Sequence, residues 1–534
     1  MNPYFQRFVK LLRKLKKPGA ASIADPRRLP IDVEHELPPA KLDNELAEAL
    51  AIPDFSLRAK TDDNVFFVVG PARSGTSATI RALSQAENAT CFEQKMPRFT
   101  KYVRNYELGL FDDVEALVLE HRWPDMHEAL AQGKIYGEKD QQIYPWVSRY
   151  WRLFGGRYVN VVKDGRDAVR SLMDFHYNIN GFLYLDAPDT DKLSPDVREA
   201  QQALLLNNLA NEAETSRPRP CIGDPLFETW KDIPRIGMVA RYWSHVIRFG
   251  AMELRKVPTS RQIRIDFTGG PSIERFEELY RFLGLEGFDR EHLSEFLDSR
   301  PNSIESKLNV AKKPFPSWPD WTEDQQNCFD LYASAAMVEN GFYPIEKFPY
   351  RLASLDFEST ILQLPPLQLS EGIVGSIVRS VRDADTQVSG ASSTILLLPD
   401  ELQANIAARE VESCYGSFTL WSGGAIGSIP TEPREAVVTL GMLETSPDIV
   451  RLLKKLADMT QKTLVLGNLF APYSYNIDNS YRSSSTGSGM LNEVSLSSTM
   501  SLLEHSLGFR QVTLRHVETG WNLNPRAQLI VAVR

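Results

Sequence analysis

Hydrophobic and polar positions along the chain fall into repeated strand, turn and helix patterns. Residues 66–69 are an unbroken apolar run that is too short for a helix, which predicts a strand buried on both faces of a parallel sheet. Gly70 ends this run, and a short polar turn leads into a helix that carries Ile80 and Leu83. The stretch from Asn64 to Leu83 therefore predicts one strand–turn–helix unit.

A second unit of the same kind follows about 90 residues later. Residues 158–162 form the next buried strand, Asp164-Gly165 makes a turn, and a helix runs from Asp167 onward. Residues 262–267 give a further strand. Alternating strands and helices predict an α/β fold with a parallel sheet in three layers.

The last third of the chain repeats this alternation and predicts a second, smaller α/β domain of Rossmann-like type. Helical patterns cover residues 447–459 and 498–507, whereas residues 473–489, rich in Ser, Asn and Gly, are expected to be a mobile loop. The strand-like runs are 394–398, 417–421, 436–440, 463–466, 512–515 and 529–533.

These patterns divide the chain into four parts. Residues 1–18 are basic and amphipathic, which is typical of a helix that contacts a membrane surface or packs on protein, and both alternatives stay open. Residues 19–60 form a connector, residues 61–348 the first domain, and residues 349–534 the second.

Composition narrows the classes of function. The chain has 534 residues and a net charge of −9, so the overall charge does not favour nucleic-acid binding. Its four cysteines are widely spaced and form neither a disulfide framework nor a metal-ligand pattern, which fits a reducing cytoplasm. No apolar run reaches the ~18 residues that span a bilayer, so we expect a cytoplasmic protein, with membrane contact only through residues 1–18.

The turn after the first strand carries the candidate chemistry. Backbone N–H groups of a glycine-bounded loop and the positive end of a helix dipole together bind anions. Gly70 and Gly75 have the spacing of the nucleoside-triphosphatase loop, but Thr76 stands where that loop has its lysine. Arg73 is the basic residue instead, which argues against ATP or GTP hydrolysis.

The sequence PARSGTS resembles the 5′-phosphosulfate loop of sulfotransferases that use 3′-phosphoadenosine 5′-phosphosulfate (PAPS). The resemblance spans residues 60–346 and implies PAPS as the sulfuryl donor, with no metal. It assigns the 3′-phosphate to Lys163 and Ser171, eight positions apart; most members have arginine where this chain has Lys163. Cofactor-binding residues implied in the first loop are Gly70, Arg73, Ser74, Gly75, Thr76 and Ser77.

Two further residues are nominated by similarity to tyrosylprotein-type sulfotransferases. Cys91-Phe92-Glu93, followed by Pro97-Arg98, loosely resembles that group's general-base motif, and Glu138-Lys139-Asp140 resembles its second lysine motif. The resemblance implies Glu93 as the base and Arg73 and Lys139 as the catalytic cations. A base of this kind works best with a pKa raised towards neutral, as a partly buried cleft would provide.

Residues 349–534 resemble the second half of a class I methyltransferase. TILLLPDELQANIA stands where that family has its glycine-rich S-adenosylmethionine loop, and it has no glycine to let a cofactor approach the backbone. We therefore expect a degenerate, non-catalytic domain.

The sequence thus predicts a PAPS-dependent sulfotransferase that acts on a hydroxyl acceptor of unidentified class. Two alternatives stay open. One is a P-loop kinase acting on a small hydroxyl substrate, and the other is a non-catalytic scaffold of two degenerate nucleotide folds.

Overall fold

The computed structural model describes part of the chain, and the segments predicted for residues 1–18 and 19–60 lie outside that part. The described residues are 61–95, 99, 102–103, 113–141, 143–174, 220, 226, 229–270, 272–299, 315–349, 394–398, 418–422, 425–446, 448–471, 478–484, 487–515 and 527–534.

The described residues form two compact units. The first comprises described residues within 61–246 and 257–320, and the second those within 247–256 and 321–534. Each unit is organised around its own sheet. The domain limits at residues 348 and 349 stay a prediction.

The sheet of the first unit is wholly parallel in the part of the chain that the structure describes, with the strand order β2-β3-β1-β4-β5. β1 lies at its centre and all five of its residues are buried, as the apolar run predicts. The strands are β1 (Val65–Val69), β2 (Ala89–Glu93), β3 (Ile135–Lys139), β4 (Arg157–Val162) and β5 (Gln262–Asp266).

Helices cover both faces of this sheet. One face packs Phe66 and Val68 against apolar side chains of α1, α6 and α7. On the other face, Phe67 contacts the Tyr150 ring of α3, with ring centroids 4.9 Å apart. The helices of this region are α1 (Thr76–Leu83), α2 (Val114–Ala131), α3 (Val147–Phe154), α4 (Gly165–Met173), α5 (Arg235–Leu254), α6 (Ile273–Leu283) and α7 (Arg290–Asp298). Residues 247–254 of α5 belong to the second unit.

Strand β3 is not predicted by the apolar pattern, because its sequence IYGEK includes a glycine and two charged residues. Its glycine has a packing reason: a Cβ at Gly137 would stand 2.3 Å from the Phe66 ring and 2.8 Å from Cys91 Sγ. Burial raises the pKa of the Cys91 thiol to about 12.

The second unit contains a mixed sheet. Strands β7, β6, β8 and β9 are parallel neighbours in that order, β13 pairs antiparallel with β9, and β12 pairs antiparallel with β13. The strands are β6 (Thr394–Leu398), β7 (Phe418–Ser422), β8 (Arg434–Leu440), β9 (Thr460–Ala471), β10 (Asp478–Ser484), β11 (Gly487–Ser495), β12 (Gln511–Arg515) and β13 (Ala527–Val533).

One expectation for this unit is wrong. The predicted loop at residues 473–489 contains β10 and the start of β11, which form an antiparallel pair, because serine- and asparagine-rich sequence also satisfies a strand ladder. The helices are α8 (Glu323–Glu339), α9 (Met442–Thr445), α10 (Ile449–Met459) and α11 (Leu496–Ser501), and a π-helical turn, Leu502–Ser506, follows α11.

A buried ion pair joins two helical segments of the second unit. Arg248 Nε and Nη2 each donate to a different oxygen of Glu339 at 2.7 Å, and Nη2 also donates to Ser498 Oγ at 3.3 Å. Both charged side chains are buried. A bidentate pair of this geometry satisfies both charges away from water.

The α/β fold class is confirmed: the structure has a parallel sheet with helices on both faces, and a second sheet of Rossmann-like type. Among the described helices, none is both long and apolar enough to cross a membrane.

Candidate functional site

The predicted site residues converge on one edge of the first sheet. Because β1 to β4 are parallel, their carboxyl ends share an edge. Glu93 ends β2, Lys139 ends β3, Gly70 follows β1 and Lys163 follows β4. Glu93 and Lys139 are direct partners in the register of β2 and β3. Open α/β sheets bind their ligands at this edge.

Two glycines shape the loop between β1 and α1. Gly70 has φ 148°, and a Cβ there would stand 2.2 Å from the carbonyl oxygen of Val161. Gly75 has φ 103°, and its Cβ would enter the ring of Phe267 at 2.5 Å. Only glycine fits either position, since another side chain would collide with backbone or an aromatic ring.

The end of the loop forms the N-terminus of α1. Ser74 is fully buried and its hydroxyl donates to the Pro71 carbonyl at 2.7 Å, so it closes the turn. Gly75 caps α1 without a side-chain hydrogen bond, and the first turn, which contains Thr76 and Ser77, holds no acidic residue. A helix start of this kind, facing an anion site, keeps its dipole available to an anion.

Arg73 joins the two predicted phosphate motifs. Its Nε donates to Ser171 Oγ at 2.9 Å, across 98 residues of sequence. Its φ of 69° lies in the left-handed region that non-glycine residues seldom adopt. Burial lowers the pKa of Arg73 to about 10, which still leaves the guanidinium charged at neutral pH.

Lys163 stands between β4 and α4. Its Nζ lies 3.7 Å from Asp167 Oδ2, and its side chain is one quarter exposed. Asp164 caps α4 by accepting from the Arg166 N–H at 2.8 Å, and its own N–H donates to Thr268 Oγ1 at 3.0 Å. The turn that presents Lys163 is therefore held from both sides.

Glu93 differs from the expected base. Its Oε2 accepts from Arg81 Nε at 2.7 Å. Burial raises the pKa of Glu93, but hydrogen bonds from Ser77 and Arg81 and the charge of Lys139 outweigh that effect, so the net pKa is lowered. The condition under which this base would work best, a pKa raised towards neutral, is not met, because the surroundings that partly bury the carboxylate also place Arg81 and Lys139 beside it.

Lys139 is only 2% exposed, and Val68 of β1 and Glu93 of β2 are its neighbours in register. The strand that carries Lys139 has no apolar periodicity by which the sequence would predict it.

Sequence reasoning also missed Arg81, the partner of Glu93. Its position on α1, one helical turn after Ser77, was the available signal, since residues four apart share a helix face.

This edge of the sheet brings together cations and anion-binding backbone. Arg73, Lys139 and Lys163 supply positive charge, while the loop amides and Ser171 supply uncharged donors. Such a set suits a ligand with several anionic groups. Among the described residues, no group of three or more His, Cys, Asp and Glu side chains is placed to hold a metal ion.

Comparison with known proteins gives structural neighbours only. No family model and no curated protein matches the chain. Solved structures that resemble it include a mouse sulfotransferase complexed with PAP, with 12% identity and a TM-score of 0.26, covering 54% of this chain and 91% of that one.

The neighbours also include several methyltransferases. A magnesium protoporphyrin IX methyltransferase from Synechocystis PCC 6803 is 11% identical, with a TM-score of 0.22, over 32% of this chain and 89% of its own. A methyltransferase from Thermotoga maritima is 13% identical, with a TM-score of 0.21, over 30% and 88%. All three are transferases, and likenesses at this level identify no activity for the chain.

Proposed function

We propose that the chain transfers the sulfuryl group of PAPS to a hydroxyl acceptor. The observation that carries this proposal is the 2.9 Å hydrogen bond from Arg73 Nε to Ser171 Oγ. It joins the loop assigned to the 5′-phosphosulfate to the helix assigned to the 3′-phosphate. A ligand with phosphate groups at both ends of a nucleoside fits this pairing.

The reaction is an in-line displacement at sulfur. The acceptor oxygen forms a bond to sulfur while the bond between sulfur and the bridging phosphate oxygen breaks, which releases adenosine 3′,5′-bisphosphate. Arg73 and Lys139 stabilise the charge that develops on the bridging oxygen. Positioning and electrostatics carry most of the catalysis in such transfers, as in phosphoryl transfer.

Glu93 accepts the proton of the acceptor hydroxyl in this scheme. Its lowered pKa keeps it ionised at neutral pH, so it is ready to accept a proton, although it is a weaker base than the sequence predicted. Replacing Arg73 or Glu93 with alanine is expected to slow turnover by at least ~100-fold. Full activity in Glu93→Ala would exclude it as the base.

Lys163 and Ser171 fix the 3′-phosphate and so distinguish PAPS from ATP. A lysine offers a point charge where most sulfotransferases have the arginine fork, so it contacts the phosphate through single hydrogen bonds. The partly exposed position of Lys163 leaves its amine accessible to a ligand at the edge of the sheet.

Calorimetric titration with adenosine 3′,5′-bisphosphate, beside ADP with Mg²⁺, tests the proposal. We expect micromolar binding of the bisphosphate, weakened roughly 10- to 150-fold in Lys163→Ala through loss of a charge-assisted contact. Lys454→Ala is the matched control, because Lys454 also pairs with an aspartate four residues on, at 2.9 Å, but lies in the other unit.

The outcomes separate the alternatives. Binding of ADP with Mg²⁺ alone would favour the kinase, and binding of neither ligand would favour the scaffold. Equal weakening by Lys163→Ala and Lys454→Ala would remove Lys163 from the phosphate site.

A further inference from the structure

A fully buried arginine lies behind the site and is not used by the proposed chemistry. Arg122 on α2 and Glu138 on β3 are both 0% exposed, and Arg122 Nε donates to Glu138 Oε1 at 2.7 Å. Tyr136 donates its hydroxyl to the second oxygen, Glu138 Oε2, at 3.0 Å. The Arg122 guanidinium also lies 4.1 Å from the ring centroid of Phe99.

Arg122 also donates a hydrogen bond to the backbone just after β2, the strand next to β3. Its Nη2 donates to the Lys95 carbonyl at 3.1 Å, two residues after Glu93. The Lys95 side chain forms an ion pair with Asp125, also on α2. One helix thus holds both the residue next to Lys139 and the turn after Glu93.

The turn itself is tightly constrained. The Gln94 N–H donates to the Lys139 carbonyl at 2.7 Å, and Gln94 has a φ of 51°, in the left-handed region. Such a conformation persists only where the surroundings impose it. Here the imposing contacts are the Lys139 carbonyl on one side and Arg122, through the Lys95 carbonyl, on the other.

We propose that Arg122 is a positioning residue for the sulfuryl transfer. By bridging Glu138 and the Lys95 carbonyl, it fixes the turn after β2 and thereby the spacing between Glu93 and Lys139. This inference rests on the proposed function, since it concerns the pair assigned to proton transfer and charge stabilisation. The guanidinium suits the task because it is a rigid fork that serves two acceptors at once.

The energetics explain why a charged pair does this work. A buried ion pair contributes little net stability compared with apolar side chains of similar size, whereas removing one partner leaves an unpaired buried charge. The double variant Arg122→Met/Glu138→Leu therefore removes the bridge without leaving either charge unpaired. Its matched control is Arg248→Met/Glu339→Leu, which removes the buried pair of the second unit.

The test combines three measurements on the full chain. We expect the Arg122/Glu138 double variant to bind adenosine 3′,5′-bisphosphate like the wild type, because Arg73, Lys163 and Ser171 are untouched. Single-turnover release of bisphosphate from PAPS, with water as acceptor, should fall on the order of 100-fold, the scale of a misplacement of about 1 Å. Hydrogen exchange at the Gln94 amide should become faster.

The pH profile separates positioning from a merely structural role. If Lys139 no longer stands beside Glu93, the pKa of Glu93 rises, so the acid limb of the rate profile moves to higher pH. Arg122→Lys, which keeps the charge but reaches one acceptor, should recover part of the rate. The Arg248/Glu339 control should change neither the profile nor the Gln94 exchange.

Each contrary outcome has one meaning. A double variant with wild-type rate and profile overturns the inference while the proposed function stands, as does a rate loss without faster exchange at Gln94. Loss of bisphosphate affinity along with the rate would show general damage to the site and also overturn it. A wild-type protein that neither binds bisphosphate nor releases it from PAPS overturns the proposed function and this inference with it.

Discussion

At the scale of single residues, the candidate site depends on contacts between groups far apart in sequence. Spacing within PARSGTS and from Lys163 to Ser171 was enough to nominate residues that the fold does bring to one edge. The Arg73–Ser171 hydrogen bond and the Glu93–Arg81 ion pair were not predictable, because they join different elements. The spacing of residues within the motifs therefore predicted which residues form the candidate site. The hydrogen bonds and ion pairs around those residues could be found only from the fold.

Arg81 is expected to set the pH range over which Glu93 works. Arg81→Gln removes a charge that lowers the pKa of Glu93, so that pKa rises and the acid limb of PAPS turnover moves to higher pH. The measurement is bisphosphate release across the acid range.

Arg290→Gln supplies the control for that shift, since Arg290 forms exposed ion pairs with Glu274 and Glu277 and is not among the charges that lower the pKa of Glu93. The same direction applies to stability. Because the pKa of Glu93 is lowered by folding, its contribution is present above the unfolded pKa and is lost as pH falls through the folded one. An unmoved acid limb in Arg81→Gln would mean that Glu93 is not the titrating base.

At the scale of elements, the strands with apolar runs were predictable, whereas the polar strands β3 and β10 were not. β1, β4 and most strands of the second unit follow from their apolar runs, whereas only one residue of β5, Ile265, is buried. β3 was not predicted because it carries a charged residue, Glu138, that is buried through its ion pair with Arg122. This contact joins a helix to a strand and leaves no periodic pattern in the sequence. The pairing of β13 between β9 and β12 likewise depends on long-range packing.

Position 70, directly after β1, is expected to accept only glycine. Gly70→Ala should reduce the stability of the β1 region by about 2–4 kcal/mol, because it combines strained backbone with a collision at the Val161 carbonyl. Native-state hydrogen exchange of the β1 amides measures this free energy.

Gly284→Ala is the matched control for backbone conformation alone. Gly284 has φ 71°, but a Cβ there would meet nothing within 4 Å, so only the left-handed strain of about 1–2 kcal/mol applies. Equal costs at Gly70 and Gly284 would show that the close approach of β4 is not what constrains the loop.

At the scale of the whole molecule, each of the two units has its own sheet and contains a buried ion pair, Arg122–Glu138 in the first and Arg248–Glu339 in the second. Composition and alternation were enough to predict two α/β sheets, since both follow from the spacing of apolar runs. The ion pairs were not predictable, because their partners lie 16 residues apart in one unit and 91 in the other.

The Arg248–Glu339 pair should behave as a coupled unit. Arg248→Met alone is expected to destabilise the second unit by about 3–5 kcal/mol, because Glu339 is left charged and buried. Adding Glu339→Leu should restore most of that loss, which urea denaturation of the single and double variants would reveal. Additive losses in the double variant would show that the two side chains act independently.

Because Cys91 packs against Gly137, the reactivity of its thiol reports whether β2 is paired with β3. A thiol whose pKa is raised to about 12 holds almost no thiolate at neutral pH, so alkylating reagents modify it slowly while β2 stays paired with β3. The rate of Cys91 alkylation, measured on the peptide that contains it, therefore reports how often β2, the strand that carries Glu93, separates from β3. Any ligand that binds at this edge of the sheet and stabilises β2 would lower that rate, whatever its chemical identity.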